Sequence, residues 1–160
     1  MVERILHSLR RLLLVVAVLA AGLAGVLAGW VLASGEAEAQ SAPQANGVIN
    51  TNVFDGVGGR YAESMKVELF EVKGDAFHPV SVATIAATGR AELLSGRPLP
   101  VGQYELRFHI ADYFRGRRVP VGEPAYLDHV PVRFSVDTPG GHYHVPLICT
   151  PWSYSTYRGS

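Results

Sequence analysis

Cysteine is all but missing from this chain: its 160 residues include one, Cys149. A lone thiol excludes an internal disulfide, so stability has to come from packing or association. Cys149 lies in an apolar run, which points to a buried, inert thiol; nothing near it in sequence would lower its pKa as a nucleophile requires. A surplus of charge is missing too. From Gln40 onward 11 Lys and Arg stand against 11 Asp and Glu, and a neutral domain exerts no electrostatic pull on nucleic acid or anionic lipid. The chain has no Gly-x-Ser-x-Gly elbow, no phosphate-binding loop and no paired-cysteine metal motif, which removes several common hydrolase, nucleotide-binding and zinc-binding signatures. Internal repeats and heptads are absent as well.

What is present divides unevenly. Residues 1–11 hold Arg4, Arg10 and Arg11 against Glu3, and Leu12 to Ala33 then runs for 22 residues without a charge. Such a run is long enough to cross the roughly 30 Å hydrocarbon core of a bilayer as an apolar helix. Two readings stand side by side. The run is the core of a signal peptide cleaved near Ala37-Glu38-Ala39, or it is an uncleaved anchor. The basic flank predicts a cytoplasmic amino end either way. The domain beyond it is then exported, periplasmic or otherwise extracytoplasmic, and in the second case tethered to the inner membrane. The organisation expected is residues 1–39 as signal peptide or signal anchor, 40–46 as linker and 47–160 as one domain.

That domain is rich in short alternating segments. Val48 to Phe54, Lys66 to Val72, Val80 to Ala87, Tyr104 to Ile110, Val130 to Val136 and Tyr143 to Ile148 are strand candidates. They are broken by Asp55-Gly56-Val57-Gly58-Gly59, Lys73-Gly74-Asp75 and Thr88-Gly89-Arg90. Tyr104, Leu106, Phe108 and Ile110 fall on one face and Glu105, Arg107 and His109 on the other. Pro146, inside its run, favours an edge or a bulge. One helical turn fits Ala111 to Phe114. Strands at this spacing predict an all-β sandwich.

Chemistry concentrates between His142 and Ser160. His142 and His144 are two apart on a predicted strand, so their rings share a face. They suit an acid/base or ligand pair, and equally two imidazoles hydrogen-bonded on a sheet surface. A metal would need a third ligand; His109 and His129 exist, with no known proximity, and neither a metal nor a cofactor is expected. Arg90 follows a turn at a strand end, and Tyr157, Arg158 and Ser160 close a hydroxyl-rich tail of a kind that packing alone does not demand.

This tail, ending Tyr-Arg-Gly-Ser, resembles the signature of the transthyretin-like 5-hydroxyisourate hydrolases. Ile49-Asn50-Thr51-Asn52-Val53-Phe54-Asp55 with Gly59-Arg60-Tyr61-Ala62 is similar to that family's opening strand and turn. Ala87-Thr88-Gly89-Arg90 resembles an internal turn, and Gly102 to Phe114 a strand leading into a short helix. The resemblance implies a seven- to eight-stranded transthyretin-like sandwich with one short helix. It implies a homotetramer, a dimer of dimers, with sites in a channel where dimers meet. It also implies hydrolysis of 5-hydroxyisourate to 2-oxo-4-hydroxy-4-carboxy-5-ureidoimidazoline in urate catabolism. On it, His144 is the general base, Arg90 clamps the anionic ring, and Tyr157 and Ser160 complete the pocket. The chain departs at one point. The family's first histidine is Asn52 here, and a carboxamide can donate and accept hydrogen bonds but cannot take a proton near neutrality. Three outcomes follow: Asn52 positions water for His144, His142 shifts into the vacancy, or the protein binds a heterocyclic or aromatic ligand without turning it over.

Overall fold

A computed structural model describes residues 45–160. The expected apolar helix of 12–33, the signal or anchor segment 1–39 and all but the end of the 40–46 linker lie outside the described residues. Among the described residues no helix is long and apolar enough to cross a membrane.

In order along the chain the elements are β1 (Asn46–Asp55), β2 (Arg60–Tyr61), β3 (Lys66–Lys73), β4 (Ala76–Thr84), β5 (Arg90–Pro98), β6 (Gly102–Phe108), helix α1 (Ile110–Gly116), β7 (Val130–Val136), β8 (His142–His144), β9 (Leu147–Cys149) and β10 (Tyr154–Thr156). One sheet has the order β4-β3-β6-β7; the other is built around β1, which pairs with β2, β5, β8 and β9, while β10 pairs with β9. With β8 and β9 taken as one interrupted strand, and the two-residue β2 as part of the turn after β1, the count is eight, within the expected range.

Period-two patterning decides which face each strand buries. On β1, Ile49, Thr51, Val53 and Asp55 are buried while Val48, Asn50, Asn52 and Phe54 are half-buried. Opposite them Val67, Leu69, Leu106 and Phe108 are fully buried and join Ile49 and Val53 in one core with Phe114, Leu147 and Cys149. Burial, with the nearby charge of Asp55, pushes the Cys149 thiol up to about 12, so it is the inert thiol expected. Asp55 itself accepts hydrogen bonds from Val57 N and Gly58 N at 2.8 Å and from Tyr113 Oη at 3.0 Å, which fixes the turn that ends β1.

Strands β8 and β9 run parallel to β1 on either side of Pro146. Asn50 faces His144 and Val53 faces Leu147, so no residue is gained or lost: Pro146 interrupts the ladder, where an edge or bulge was expected. The buried Thr51 hydroxyl donates to Val145 O at 2.6 Å and pins the break. Other expectations shift. The fourth strand is Ala76–Thr84, not 80–87, because the tight turn after Lys73 pairs Lys73 with Ala76 directly. Strand β5 escaped prediction because Leu93 and Leu94 are both buried, across register irregularities against β1 that break the alternation. Strand β10 escaped because its residues are polar and exposed; it is held by its backbone.

Candidate active site

The outer face of the β1 sheet carries the polar residues that patterning leaves outside. Asn50 and Asn52 project from β1 on the same side. Asn50 is level with His144 of β8 and Glu92 of β5, and Asn52 is level with Arg90 of β5. Residues level on neighbouring strands have Cβ atoms about 5 Å apart, so β1 gathers an imidazole, a guanidinium and two carboxamides from three separate parts of the chain.

Asn50 is the hub. Its Oδ1 accepts from His144 Nδ1 at 2.5 Å and its Nδ2 donates to His142 Nε2 at 2.9 Å. A carboxamide oxygen only accepts, so the Nδ1 of His144 carries the proton and Nε2 keeps its lone pair. Burial lowers the pKa of His144, and the positive charge of Arg90 and the neighbouring His142 add to the effect, while a hydrogen bond with the Asn50 backbone pulls the other way. His144 is therefore a neutral imidazole with an open basic nitrogen at neutral pH.

Arg90 owes its place to the turn before it. Gly89 has φ +81° and a Cβ there would overlap the Tyr61 ring, so only glycine fits. Ala86 N donates to Arg90 O and Val53 N to Gly89 O, at 2.9 and 3.0 Å, which ties the turn to β1 beside Asn52.

The tail returns to the same place. Gly159 forms a bridge with His144, its N donating to His144 O at 2.9 Å. A Cβ on Gly159 would overlap the His144 ring, so the glycine of the Tyr-Arg-Gly-Ser ending is what lets the tail close over the imidazole. Ser160 follows directly and is exposed. Thr156, Tyr157 and Arg158, with Phe134 and Tyr143, line a cavity of about 220 Å³ that also touches His144. Arg158 lies 5.7 Å from the centre of the Tyr143 ring. The cavity walls come from β7, the β8 region and the tail, and the cavity does not reach Asn52 or Arg90.

The structure thus brings together His144, Asn52, Arg90 and the approach of Ser160. Within one chain Tyr157 stands apart, 59 % exposed, at the cavity mouth. His142 does not fill the vacancy left by Asn52: it is level with Val48 and bonds to Asn50. Asn50 itself went unread in the sequence. A signal was available, since it shares parity with Asn52, but its partners lie more than 90 positions away. His109 and His129 have ring centres 6.3 Å apart, yet among the described residues no three His, Cys, Asp or Glu side chains form a group that could hold a metal ion.

Sheet order, the parallel return of β8 and β9 along β1 and the imidazole under a glycine-closed tail define a transthyretin-like β-sandwich with a polar site on one sheet face. The chain belongs to the HIUase/Transthyretin family, whose model matches residues 49–159. It is 48% identical over 114 residues to the 5-hydroxyisourate hydrolase of Deinococcus radiodurans, a match covering 70% of this chain and 95% of that protein. It is 42% identical to 5-hydroxyisourate hydrolase 2 of Rhizobium meliloti over 72% of this chain and 98% of that one. Among solved structures, Klebsiella pneumoniae 5-hydroxyisourate hydrolase superposes with a TM-score of 0.61 at 26% identity, covering 71% of this chain and 99% of that chain. An (S)-allantoin synthase superposes with a TM-score of 0.67 at 35% identity, over 75% of this chain and 46% of that one.

Proposed function

We propose that the protein hydrolyses 5-hydroxyisourate, opening a cyclic amide to give 2-oxo-4-hydroxy-4-carboxy-5-ureidoimidazoline in urate breakdown. The observation that carries this reading is the open Nε2 of His144, held neutral beside Arg90 on a face closed by the tail. His144 Nε2 takes a proton from water as the water oxygen bonds to a ring carbonyl carbon. The carbon–nitrogen bond then breaks, the proton passes to the leaving nitrogen, and the former carbonyl leaves as a carboxylate. General-base help of this kind is worth roughly 10²–10⁴-fold. Arg90 binds the anionic ring by charge-assisted hydrogen bonds. Asn52 holds the water without taking its proton. Tyr157 and Ser160 bound the pocket from the tail.

A homotetramer, a dimer of dimers, suits exposed apolar side chains of β9 and the turn after it: Ile148 is 46 % and Trp152 57 % exposed in the single chain. A second subunit would cover them and bring Tyr157 against a neighbouring site; sedimentation at micromolar concentration tests the assembly. The basic flank and apolar run of residues 1–33 support export, by cleavage or by anchoring at the membrane, and mass spectrometry of the mature amino end distinguishes the two.

Freshly generated 5-hydroxyisourate mixed with the protein should lose its absorbance faster than in buffer. Equal rates for the wild type and His144→Ala would overturn the reading. Asn52 favours a second one, a transthyretin-like binder that holds a heterocyclic or aromatic ligand without turnover. Saturable binding with no turnover, together with a large gain of activity in Asn52→His, would establish that instead.

A further inference from the structure

Asn50 has no part in the reaction just described, yet it makes the hydrogen bonds that set both imidazoles. We propose that Asn50 is the positioning residue of this site: its carboxamide holds His144 as the Nδ1–H tautomer, with Nε2 free to act as base, and holds His142 as an acceptor through Nε2. The functional meaning of this lock rests on the hydrolase reading; the lock itself does not.

The argument is one of valence. A neutral imidazole has one donor and one acceptor nitrogen, and a carboxamide has a donor end and an acceptor end. The Asn50 side chain lies between the two rings and spends one end on each, 2.5 Å to His144 and 2.9 Å to His142. Its backbone is equally constrained: Val145 N donates to Asn50 O at 3.0 Å, and next to it Thr51 pins Val145 O. The carboxamide is thus fixed by the ladder it stands on. With His142 hydrogen-bonded two positions along β8 and level with Val48, a single histidine is left to serve as base, and its tautomer decides whether a basic nitrogen faces the substrate at all. The reverse orientation of the carboxamide would place the proton on Nε2 and leave the site without a base. The charged and titratable groups acting on His144 are Arg90 on β5 and His142 on β8; Glu92 lies across β1, level with Asn50, and Arg158 of the tail lines the same cavity.

Nitrogen NMR of the histidine side chains in the unmodified protein reads the tautomers directly, without substrate. His144 protonated at Nδ1 and His142 bare at Nε2 is the expected result; His144 protonated at Nε2 in the neutral protein would overturn the proposal. Three activity variants add a second arm. Asn50→Ala should lower kcat about ten- to a hundredfold, the scale of misplacing a catalytic group, with KM little changed. Asn50→Asp keeps an acceptor at His144 Nδ1, so most of kcat should survive while the acid limb of the pH profile moves to higher pH, because a carboxylate favours the imidazolium. Asn50→Gln keeps the chemistry and should recover part of the rate lost in Asn50→Ala. An unmoved acid limb in Asn50→Asp, with wild-type kcat in Asn50→Ala, would reduce Asn50 to a packing residue. A wild type that shows the expected tautomers but no turnover would sink the hydrolase reading and leave the lock standing. Turnover with the wrong tautomer would do the reverse.

Discussion

Each sheet shows a polar cluster on its outer face, and the two clusters are built to opposite ends. On the four-stranded sheet Glu105 is buried and accepts from Arg107 Nε at 2.8 Å and Arg133 Nη2 at 2.9 Å. The Arg107 guanidinium lies 4.4 Å from the ring centres of both Phe70 and Phe77. Burial pushes the Glu105 carboxyl up, but the hydrogen bonds from Arg107 and Arg133 outweigh it and hold the pKa below the usual carboxylate value. Both Glu105 oxygens are taken by the two guanidiniums, and Arg107 is held against two aromatic rings, so little is left for a ligand. On the β1 sheet Asn50 is spent on two imidazoles, which leaves His144 Nε2 open beside Asn52 and Arg90. A cluster that closes on itself stabilises a fold; one that leaves a basic nitrogen and a guanidinium unspent on the same face can do chemistry.

Substitutions on the two faces should separate these roles. His144→Ala should cost about 10²–10⁴-fold in kcat/KM with the protein still folded, measured by the decay of 5-hydroxyisourate absorbance. Gly159→Ala drives a methyl into the His144 ring and should cost about a hundredfold in kcat, with the melting temperature moving little. Glu105→Ala tests the opposite face: it strands two arginines and should cost about 1–3 kcal/mol of stability in chemical denaturation, with kcat unchanged. A large loss of activity there would erase the contrast between the faces. Asn52→His adds a second imidazole near Arg90 and should raise kcat about tenfold under the hydrolase reading, below the roughly 10²–10⁴-fold of a general base because His144 already fills that role. The smallest effect lies in the pH profile. Burial, the positive charge of Arg90 and the neighbouring His142 lower the His144 pKa, so its basic form survives as pH falls through the usual imidazole range. The acid limb of kcat/KM should then lie below about pH 6.5; a limb above it would contradict the assigned base.

Much of the fold was legible because alternation is a local property. Lys66 to Val72, Tyr104 to Ile110 and Val130 to Val136 carry their inner and outer faces in plain order, and the strands found there match to within a few residues, the second ending at Phe108 where the helix takes over. Strand β5 was illegible because Leu93 and Leu94 both turn inward at an irregular register. Strand β10 was illegible because its burial pattern carries no apolar signal. In the site, Arg90, His144, Asn52, Tyr157 and Ser160 were picked out through motif resemblance. Asn50 was not, since nothing beside it in sequence hints at a bond to His142 or His144.

Composition and patterning by themselves determined a neutral, disulfide-free β-sandwich with a hydroxyl-rich tail. These follow from residue type and period-two spacing, which need no knowledge of partners. Only the tertiary structure decided that β8 and β9 return parallel to β1 on either side of Pro146, that Gly159 lies against the His144 ring, and that Asn50 joins both imidazoles. Those facts depend on strand order and register, through which hydrogen bonding and core packing bring together groups more than 90 residues apart.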